Sequence, residues 1–114
     1  TGTHANDPVE SQVIQEIFEL SIPVSSIKSM IGHCMGAASA IEAVSCVLSL
    51  QHSILPPTTN YETPDPNCKV ALVANQPREA KVDIVLNNAL AFGGYDGALC
   101  LARPGVLPMP GGAS

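Results

Sequence analysis

A lysine and a histidine lie five residues apart in this chain, at Lys28 and His33. Lysine supplies a positive charge, and histidine can gain or lose a proton near neutral pH. Both residues come shortly before an apolar stretch that begins near Cys34. Connections that lead from a strand into a helix commonly hold reacting groups, so we predict that Lys28 and His33 belong to a reactive site.

Glu42 is a third candidate, because it lies nine residues after His33 and inside the apolar stretch. A carboxylate in apolar surroundings is costly unless a cation pairs with it. Lys28 is the natural partner, and we predict an ion pair between Lys28 and Glu42.

Simpler interpretations stay open when these residues are taken alone. His33 could be a structural histidine, and Lys28 could be a solvated surface lysine. Cys34 beside His33 suggests a local cysteine–histidine nucleophile, but adjacent residues seldom face each other. We expect His4 and His52 at the surface, and three histidines without ligand spacing predict no metal site.

Two helices are predicted to position these residues. In the first, Asp7 and Glu10 resemble a capping box, with Asp7 as the cap. Its apolar face, at helical spacing, consists of Val9, Val13, Ile14, Ile17 and Phe18. The second helix should run over residues 34–51. Its apolar residues point in almost every direction, which is typical of a helix that is buried on all sides.

The predicted strands are short. Residues 23–25 are typical of a brief strand, and another is predicted near residues 69–73. The surrounding stretch, residues 55–77, contains five prolines and should otherwise be a loop. Residues 82–90 and 97–102 flank a glycine-containing turn, so we expect an antiparallel hairpin. Helices and strands together predict an α/β fold.

Composition excludes several classes of protein. The 114 residues are 46% hydrophobic and carry a formal net charge of −5, which argues against a disordered acidic tail. An acidic chain with five scattered basic residues is a poor nucleic-acid binder. No apolar run reaches the roughly 18 residues of a membrane span. We see no secretory signal, and we expect the four cysteines to be buried free thiols in a cytoplasmic protein.

The predicted elements are too few to cover a helix that is apolar all round. We therefore expect the chain to be part of a larger α/β domain. Residues 1–103 would form that domain, incomplete at its N-terminal side. Residues 104–114, with three prolines and three glycines, would form a tail.

Several motifs in register resemble the β-ketoacyl-(acyl carrier protein) synthases over residues 1–103. The matching residues are Thr1, Gly2, Thr3, Asp7, Glu10, Ser26, Ile27, Lys28, Ser29, Gly32, His33, Gly36, Ala37, Ala38, Pro56, Pro57, Thr58, Asn60, Pro64, Asp65, Pro66, Asn88, Phe92, Gly93 and Gly94. The resemblance implies a thiolase-like fold, here a partial C-terminal half with the buried helix and the C-terminal hairpin. It also implies decarboxylative Claisen condensation of acyl and malonyl thioesters, in fatty-acid or polyketide biosynthesis.

The resemblance assigns roles to single residues. His33 matches the family's second catalytic histidine and would donate to the malonyl thioester oxygen. Lys28 matches the active-site lysine, which would order the site together with Glu42. Thr1 and Thr3 match threonines that bind the pantetheine arm.

The gate of the acyl tunnel corresponds to Phe92, Gly93 and Gly94. For Phe92, a core aromatic is the alternative. The sequence departs from the family pattern at Ser39, where glycine is usual, at residues 88–91, and at Asp96, where asparagine is frequent. The family's nucleophilic cysteine and first catalytic histidine would lie upstream of Thr1.

The resemblance also implies the partners. No cofactor would be bound by the protein, since the substrate is carried on the phosphopantetheine of an acyl carrier protein. The other partners would be the remainder of the ketosynthase chain and a second subunit, in a homodimer or a ketosynthase/chain-length-factor heterodimer.

Two further hypotheses remain beside the enzyme. The chain could belong to a non-catalytic partner subunit that determines chain length, or it could be a processed polypeptide that completes a site with another chain. By itself, the 114-residue chain is expected to be inactive and poorly folded.

Overall fold

The structure of the chain, a computed structural model, describes residues 1–107. In chain order its elements are α1 (Asn6–Phe18), β1 (Pro23–Val24), α2 (Lys28–Ile31), a 3-10 turn (Met35–Ala37), α3 (Ala38–His52), β2 (Ile54–Leu55), β3 (Ala71–Leu72), β4 (Arg78–Glu79), β5 (Ile84–Ala89) and β6 (Gly97–Ala102). The strands form three two-stranded sheets, which pair β1 with β3, β2 with β4, and β5 with β6.

The chain divides into two compact units. Unit 1 consists of Thr1–Cys34 and Leu55–Arg78, and unit 2 consists of Met35–Ile54 and the described residues from Glu79 onward. In unit 1, β1 and β3 run parallel, with Val24 opposite Leu72. Val73, which directly follows β3, is only 4% exposed and lies in the core of this unit.

Unit 2 is a helix packed on a hairpin. The helix α3 contacts both β5 and β6. The two strands are antiparallel, with Ile84 opposite Ala102 and Ala89 opposite Gly97. Leu50 of α3 and Val82, just before β5, are buried. The hairpin predicted from the glycine-containing turn is therefore confirmed.

Most predicted elements occur within a few residues of their expected bounds. The second helix is confirmed as the 3-10 turn followed by α3, and the brief strands as β1 and β3. The short helix α2 and the strands β2 and β4 were not predicted. An element of two to four residues is too short to show a hydrophobic period, so the sequence carries no signal for it.

The predicted cap of α1 is wrong. The helix begins at Asn6, which places Asp7 inside the first turn, and Ala5 at the cap position makes no side-chain bond to the helix. Instead, Thr3 accepts at its hydroxyl from the N–H of Asn6 at 3.2 Å. Its carbonyl accepts from the N–H of Asp7 at 3.1 Å. The two free N–H groups are thus satisfied by a threonine that lies further upstream.

In this chain α3 is covered only in part, as expected if the elements that bury its other sides belong to the remainder of a larger α/β domain. Only Ala38, Ser49 and Leu50 of the helix are buried, whereas Val44 is 59% exposed. The reason is that the hairpin covers one side of α3. The apolar face of α1 is similarly uncovered, with Ile17 65% exposed.

The four cysteines are free thiols, as predicted, but they are not buried. Cys34, Cys46 and Cys68 are half-buried, and Cys100 is exposed because it lies on the uncovered hairpin. Residues 1–107 contain no helix with the length and apolar character of a membrane span. Of the predicted tail, residues 104–107 are turn-like, and residues 108–114 lie outside the described residues.

Candidate active site

Lys28 and His33 lie at the two ends of a single helical turn in unit 1. Lys28 is the first residue of α2, and its carbonyl accepts from the N–H of Gly32 at 2.9 Å. Gly32 has φ 77° and ψ 177°, a conformation that is essentially restricted to glycine, and it ends the helix. His33 follows directly. This turn therefore sets the distance between the backbone of Lys28 and the backbone of His33. Lys28 is half-buried and His33 is exposed.

Ser29, next to Lys28, ties the turn to residues 56–60. Its hydroxyl accepts from the backbone N–H of Thr59 at 2.8 Å and from the Thr59 hydroxyl at 3.3 Å. The same hydroxyl donates to the carbonyl of Ser26 at 3.0 Å. In addition, Asn60 donates from Nδ2 to the carbonyl of Ser29 at 3.5 Å.

Two further bonds join the residues before the turn to the same segment. Ser25 donates from its hydroxyl to the carbonyl of Pro56 at 2.6 Å. The N–H of Ser26 donates to the hydroxyl of Thr58 at 2.8 Å. Hydrogen bonds from the side chain of Ser25 and the backbone of Ser26, together with those at the Ser29 hydroxyl, thus attach residues 25–29 to residues 56–60.

Thr58 is itself held by backbone bonds to the core of unit 1. Its N–H donates to the carbonyl of Val73 at 2.7 Å, and its carbonyl accepts from the N–H of Asn75 at 2.8 Å. Val73 in turn donates from its N–H to the carbonyl of Val24 at 2.9 Å. A continuous set of hydrogen bonds therefore links the β1–β3 sheet, through Thr58, to the turn that carries Lys28.

Thr1 and Thr3 lie at the start of unit 1, where their hydroxyl oxygens are 3.0 Å apart. Both residues are exposed. Thr3 also accepts from the N–H of Asn6, so one of its lone pairs is occupied. Their predicted role in binding pantetheine stays a prediction.

Unit 2 holds the other predicted site residues. Glu42 is half-buried on α3, one turn before Cys46. Burial first, and then the negative charge of Glu42, raise the pKa of the Cys46 thiol. The buried side chain of Asn87 on β5 donates to the carbonyl of Ser39 at 3.1 Å and helps to fix α3 on the hairpin.

The predicted gate lies on the exposed turn between β5 and β6. Phe92 is 100% exposed in this chain, and both its gating role and the core-aromatic alternative stay predictions for the complete domain. Gly93 and Gly94 have φ of 84° and 78°, in the left-handed region that favours glycine. This backbone fits a loop that could move, and the gating role stays a prediction.

The structure places the predicted residues in two groups. Unit 1 carries Thr1, Thr3, Lys28 and His33, and unit 2 carries Glu42, Phe92, Gly93 and Gly94. The surface histidines His4 and His52 are exposed as expected. Residues 1–107 bring together no group of three or more His, Cys, Asp or Glu side chains that could hold a metal ion.

The sequence did not reveal the role of Ser29, Thr58 and Thr59. All three are short hydroxyl side chains that could equally have been solvated loop residues. One signal could have suggested a shared hydrogen-bond network. Hydroxyl residues lie next to Lys28 and also directly after the two prolines that begin at Pro56.

The sequence of the chain matches known proteins. Residues 1–62 match the family model described as the beta-ketoacyl synthase C-terminal domain. The chain is 45% identical over 107 residues to the tetracenomycin polyketide synthase ketoacyl synthase alpha subunit of Streptomyces glaucescens, covering 91% of this chain and 25% of that protein. It is 44% identical over 106 residues to 3-oxoacyl-(acyl-carrier-protein) synthase 2 of Coxiella burnetii, covering 90% of this chain and 26% of that protein.

The fold matches as well. The solved ishigamide ketosynthase/chain length factor superposes with a TM-score of 0.88 at 43% identity, over 92% of this chain and 26% of that one. The α/β architecture is thus that of thiolase-like ketosynthases. The chain belongs to the β-ketoacyl synthase family. It spans about a quarter of the length of the curated relatives that it matches.

Proposed function

We propose that the chain is the C-terminal portion of a β-ketoacyl-(acyl carrier protein) synthase, and that residues 1–103 belong to its incomplete domain. The complete protein would catalyse decarboxylative Claisen condensation of acyl and malonyl thioesters, in fatty-acid or polyketide biosynthesis. The observation that supports this most is the Lys28–Gly32 turn, which delivers His33 at its end and is hydrogen-bonded to residues 56–60.

The proposed reaction needs an electrophile and a nucleophile. An upstream cysteine would hold the acyl group as a thioester. In malonyl thioester, the bond to the carboxylate carbon breaks, CO2 leaves, and the electron pair forms an enolate. The enolate carbon then attacks the acyl carbonyl, and the cysteine leaves as thiolate. Donors aimed at the enolate oxygen lower the barrier to the decarboxylation step.

The residues of this chain would supply that stabilisation and the contacts to substrate. His33 would donate to the malonyl thioester oxygen, and Lys28 would order the site, paired with Glu42. Thr1 and Thr3 would bind the pantetheine arm. Phe92 would close the acyl tunnel, on a turn that Gly93 and Gly94 allow to move.

The partners follow from this assignment. The substrates would arrive on the phosphopantetheine of an acyl carrier protein, and the protein would bind no cofactor of its own. The remainder of the ketosynthase chain would cover α3, and a second ketosynthase or a chain-length factor would complete the dimer. The complete protein would act in the cytoplasm, and the chain from residue 104 would be a tail.

A chain-length-determining partner subunit is the second candidate function. Its support is the solved ketosynthase/chain length factor that this chain resembles at 43% identity. The presence of Lys28 and His33 together favours the condensing subunit, because a non-catalytic partner has no use for a donor to an enolate.

Release of CO2 from malonyl carrier protein by the purified complete protein tests the proposal. We expect release by the wild-type protein and its loss in His33→Ala. His52→Ala, which removes an exposed histidine from the end of α3, is the control and should stay active. A wild-type protein that releases no CO2 by itself, but does so with a separate ketosynthase, would identify the partner subunit instead.

A further inference from the structure

We propose that Ser29 and Thr58 are positioning residues, whose hydroxyls set where Lys28 and His33 lie for decarboxylation of the malonyl thioester. This inference rests on the proposed condensing function and adds to it the groups that hold the reactive turn. Neither hydroxyl needs to touch the substrate. Each would act through the backbone of the turn.

The first observation is that α2 cannot hold its own position. It has four residues, and a single helical turn fixes several dihedral angles in return for one hydrogen bond. The position of Lys28 and, through the bond from Gly32 to the Lys28 carbonyl, of His33 must therefore come from contacts outside α2.

The second observation is that the Ser29 hydroxyl is fully engaged. A hydroxyl can donate one hydrogen bond and accept two. Ser29 donates to the carbonyl of Ser26 at 3.0 Å, and it accepts from the N–H and the hydroxyl of Thr59 at 2.8 and 3.3 Å. Removing this half-buried oxygen would leave the N–H of Thr59 without its acceptor and release the residue next to Lys28.

The third observation is that Thr58 connects the turn to the core of unit 1. Its backbone is bonded to Val73 and Asn75, and its hydroxyl accepts from the N–H of Ser26 at 2.8 Å. Val73 is 4% exposed, so this end of the connection is held in packed surroundings. Ser29 and Thr58 thus provide two side-chain attachments, one at α2 itself and one at Ser26, just before α2.

Ser29→Ala and Thr58→Val in the complete protein test the proposal, since each removes a hydroxyl at nearly constant size. Ser29→Thr and Thr58→Ser keep the hydroxyl and are the rescue variants. Ser21→Ala removes a hydroxyl that bonds the end of α1 in the same unit and is the matched control. For each protein, kcat and KM of malonyl decarboxylation, the rate of acyl transfer to the enzyme, and Tm are measured.

We expect kcat of decarboxylation to fall about 10- to 100-fold in Ser29→Ala and Thr58→Val, because displacement of a catalytic group by about 1 Å costs that much. KM and the acyl-transfer rate should stay within about twofold, because those contacts lie elsewhere, and the rescue variants should recover most of the activity. Unchanged kcat, or equal losses in both half-reactions together with a lower Tm, would overturn the proposal.

Histidine side-chain NMR separates this inference from the proposed function. In Ser29→Ala the ring signals of His33, assigned with His33→Ala, should move while those of His52 stay in place. Unmoved His33 signals would overturn the positioning role even if the enzyme is active. A wild-type protein without decarboxylation would overturn the proposed function, whereas the NMR result would still decide whether Ser29 positions His33.

Discussion

The hydroxyl of Ser29 accepts a hydrogen bond from the backbone N–H of Thr59 at 2.8 Å, across 30 residues of sequence. This bond connects the turn that carries Lys28 to a segment that follows α3 in the sequence. The geometry of the candidate site therefore depends on residues that are distant in sequence and have no reactive chemistry of their own.

Gly32 should be required for both stability and decarboxylation. Its φ of 77° and ψ of 177° are strained for any residue with a Cβ, although the space around it is open. Gly32→Ala should lower the free energy of unfolding by about 1–3 kcal/mol and reduce decarboxylation by displacing His33. Denaturant unfolding and CO2 release of the complete protein are the measurements, and the variants below are likewise made in the complete protein.

The control for this prediction is Gly36→Ala. The position also has open space for a Cβ, but its φ is not in the left-handed region. We expect its effect on unfolding to stay within about 0.5 kcal/mol. Equal losses in the two variants would mean that backbone strain at Gly32 is not the cause.

Asn75 should stabilise unit 1 through its side chain. Its Oδ1 accepts from the N–H of Tyr61 at 2.9 Å, and its Nδ2 donates to the carbonyl of Tyr61 at 2.7 Å. Its φ is 60°. Asn75→Ala should cost about 2–4 kcal/mol, since two hydrogen bonds are lost and alanine is strained in this conformation.

Asn75→Gly separates the loss of the two hydrogen bonds from the backbone strain, because glycine adopts the left-handed conformation without strain. It should cost about 1–2 kcal/mol in denaturant unfolding, the share of the two hydrogen bonds. If Asn75→Gly were as stable as the wild type, the paired bonds to Tyr61 would contribute nothing.

Arg103 should anchor the end of the hairpin in unit 2. Its Nε donates to the carbonyl of Val82 at 2.7 Å, and its Nη2 donates to the hydroxyl of Ser53 at 2.6 Å. Arg103→Lys cannot make both bonds with the same geometry, so we expect a loss of about 2 kcal/mol in denaturant unfolding. Arg78→Lys on the exposed strand β4 is the matched control and should change stability by less than about 0.5 kcal/mol.

Glu42 should control the reactivity of Cys46. Burial and the charge of Glu42 raise the pKa of Cys46 from its ordinary value of 9.0. The folded protein therefore holds this proton more tightly than the unfolded chain. The stability that results is complete below pH 9.0 and is lost as the pH rises through the higher pKa of the folded state.

Glu42→Gln should lower the pKa of Cys46 and speed its alkylation at pH 8, because only the thiolate reacts. Alkylation followed peptide by peptide in a mass spectrometer measures this rate. Glu79→Gln removes an equal charge from unit 2 and should leave the Cys46 rate unchanged. A Cys46 rate that is the same in Glu42→Gln and the wild type would contradict the assigned electrostatic effect.

Local features of the site could be predicted from the sequence. Helical spacing of apolar residues predicts α1 and α3, and the glycine-containing turn before Gly97 predicts the hairpin. These predictions succeed because hydrogen bonds within a helical turn or a short hairpin join residues that are close in sequence. The family resemblance rests on the same short motifs.

The burial of side chains is harder to predict from the sequence than the local structure is. The apolar residues of α1 and α3 predict faces that pack, and yet Ile17 and Val44 are exposed in this chain. A hydrophobic pattern shows which side chains would gain from burial, but the gain is realised only where other elements supply the covering surface. Hydrophobic pattern alone does not identify that surface.

The sequence by itself determined the reactive residue types, their spacing around Gly32, the two long helices and the hairpin. The tertiary structure decided that Thr3 rather than Asp7 caps α1, and that Ser29 and Thr58 hold the turn of Lys28. For Ser29 and Thr58 the physical reason is that their bonds join residues 30 and 32 positions apart in the chain, and no local pattern records where the backbone returns after α3.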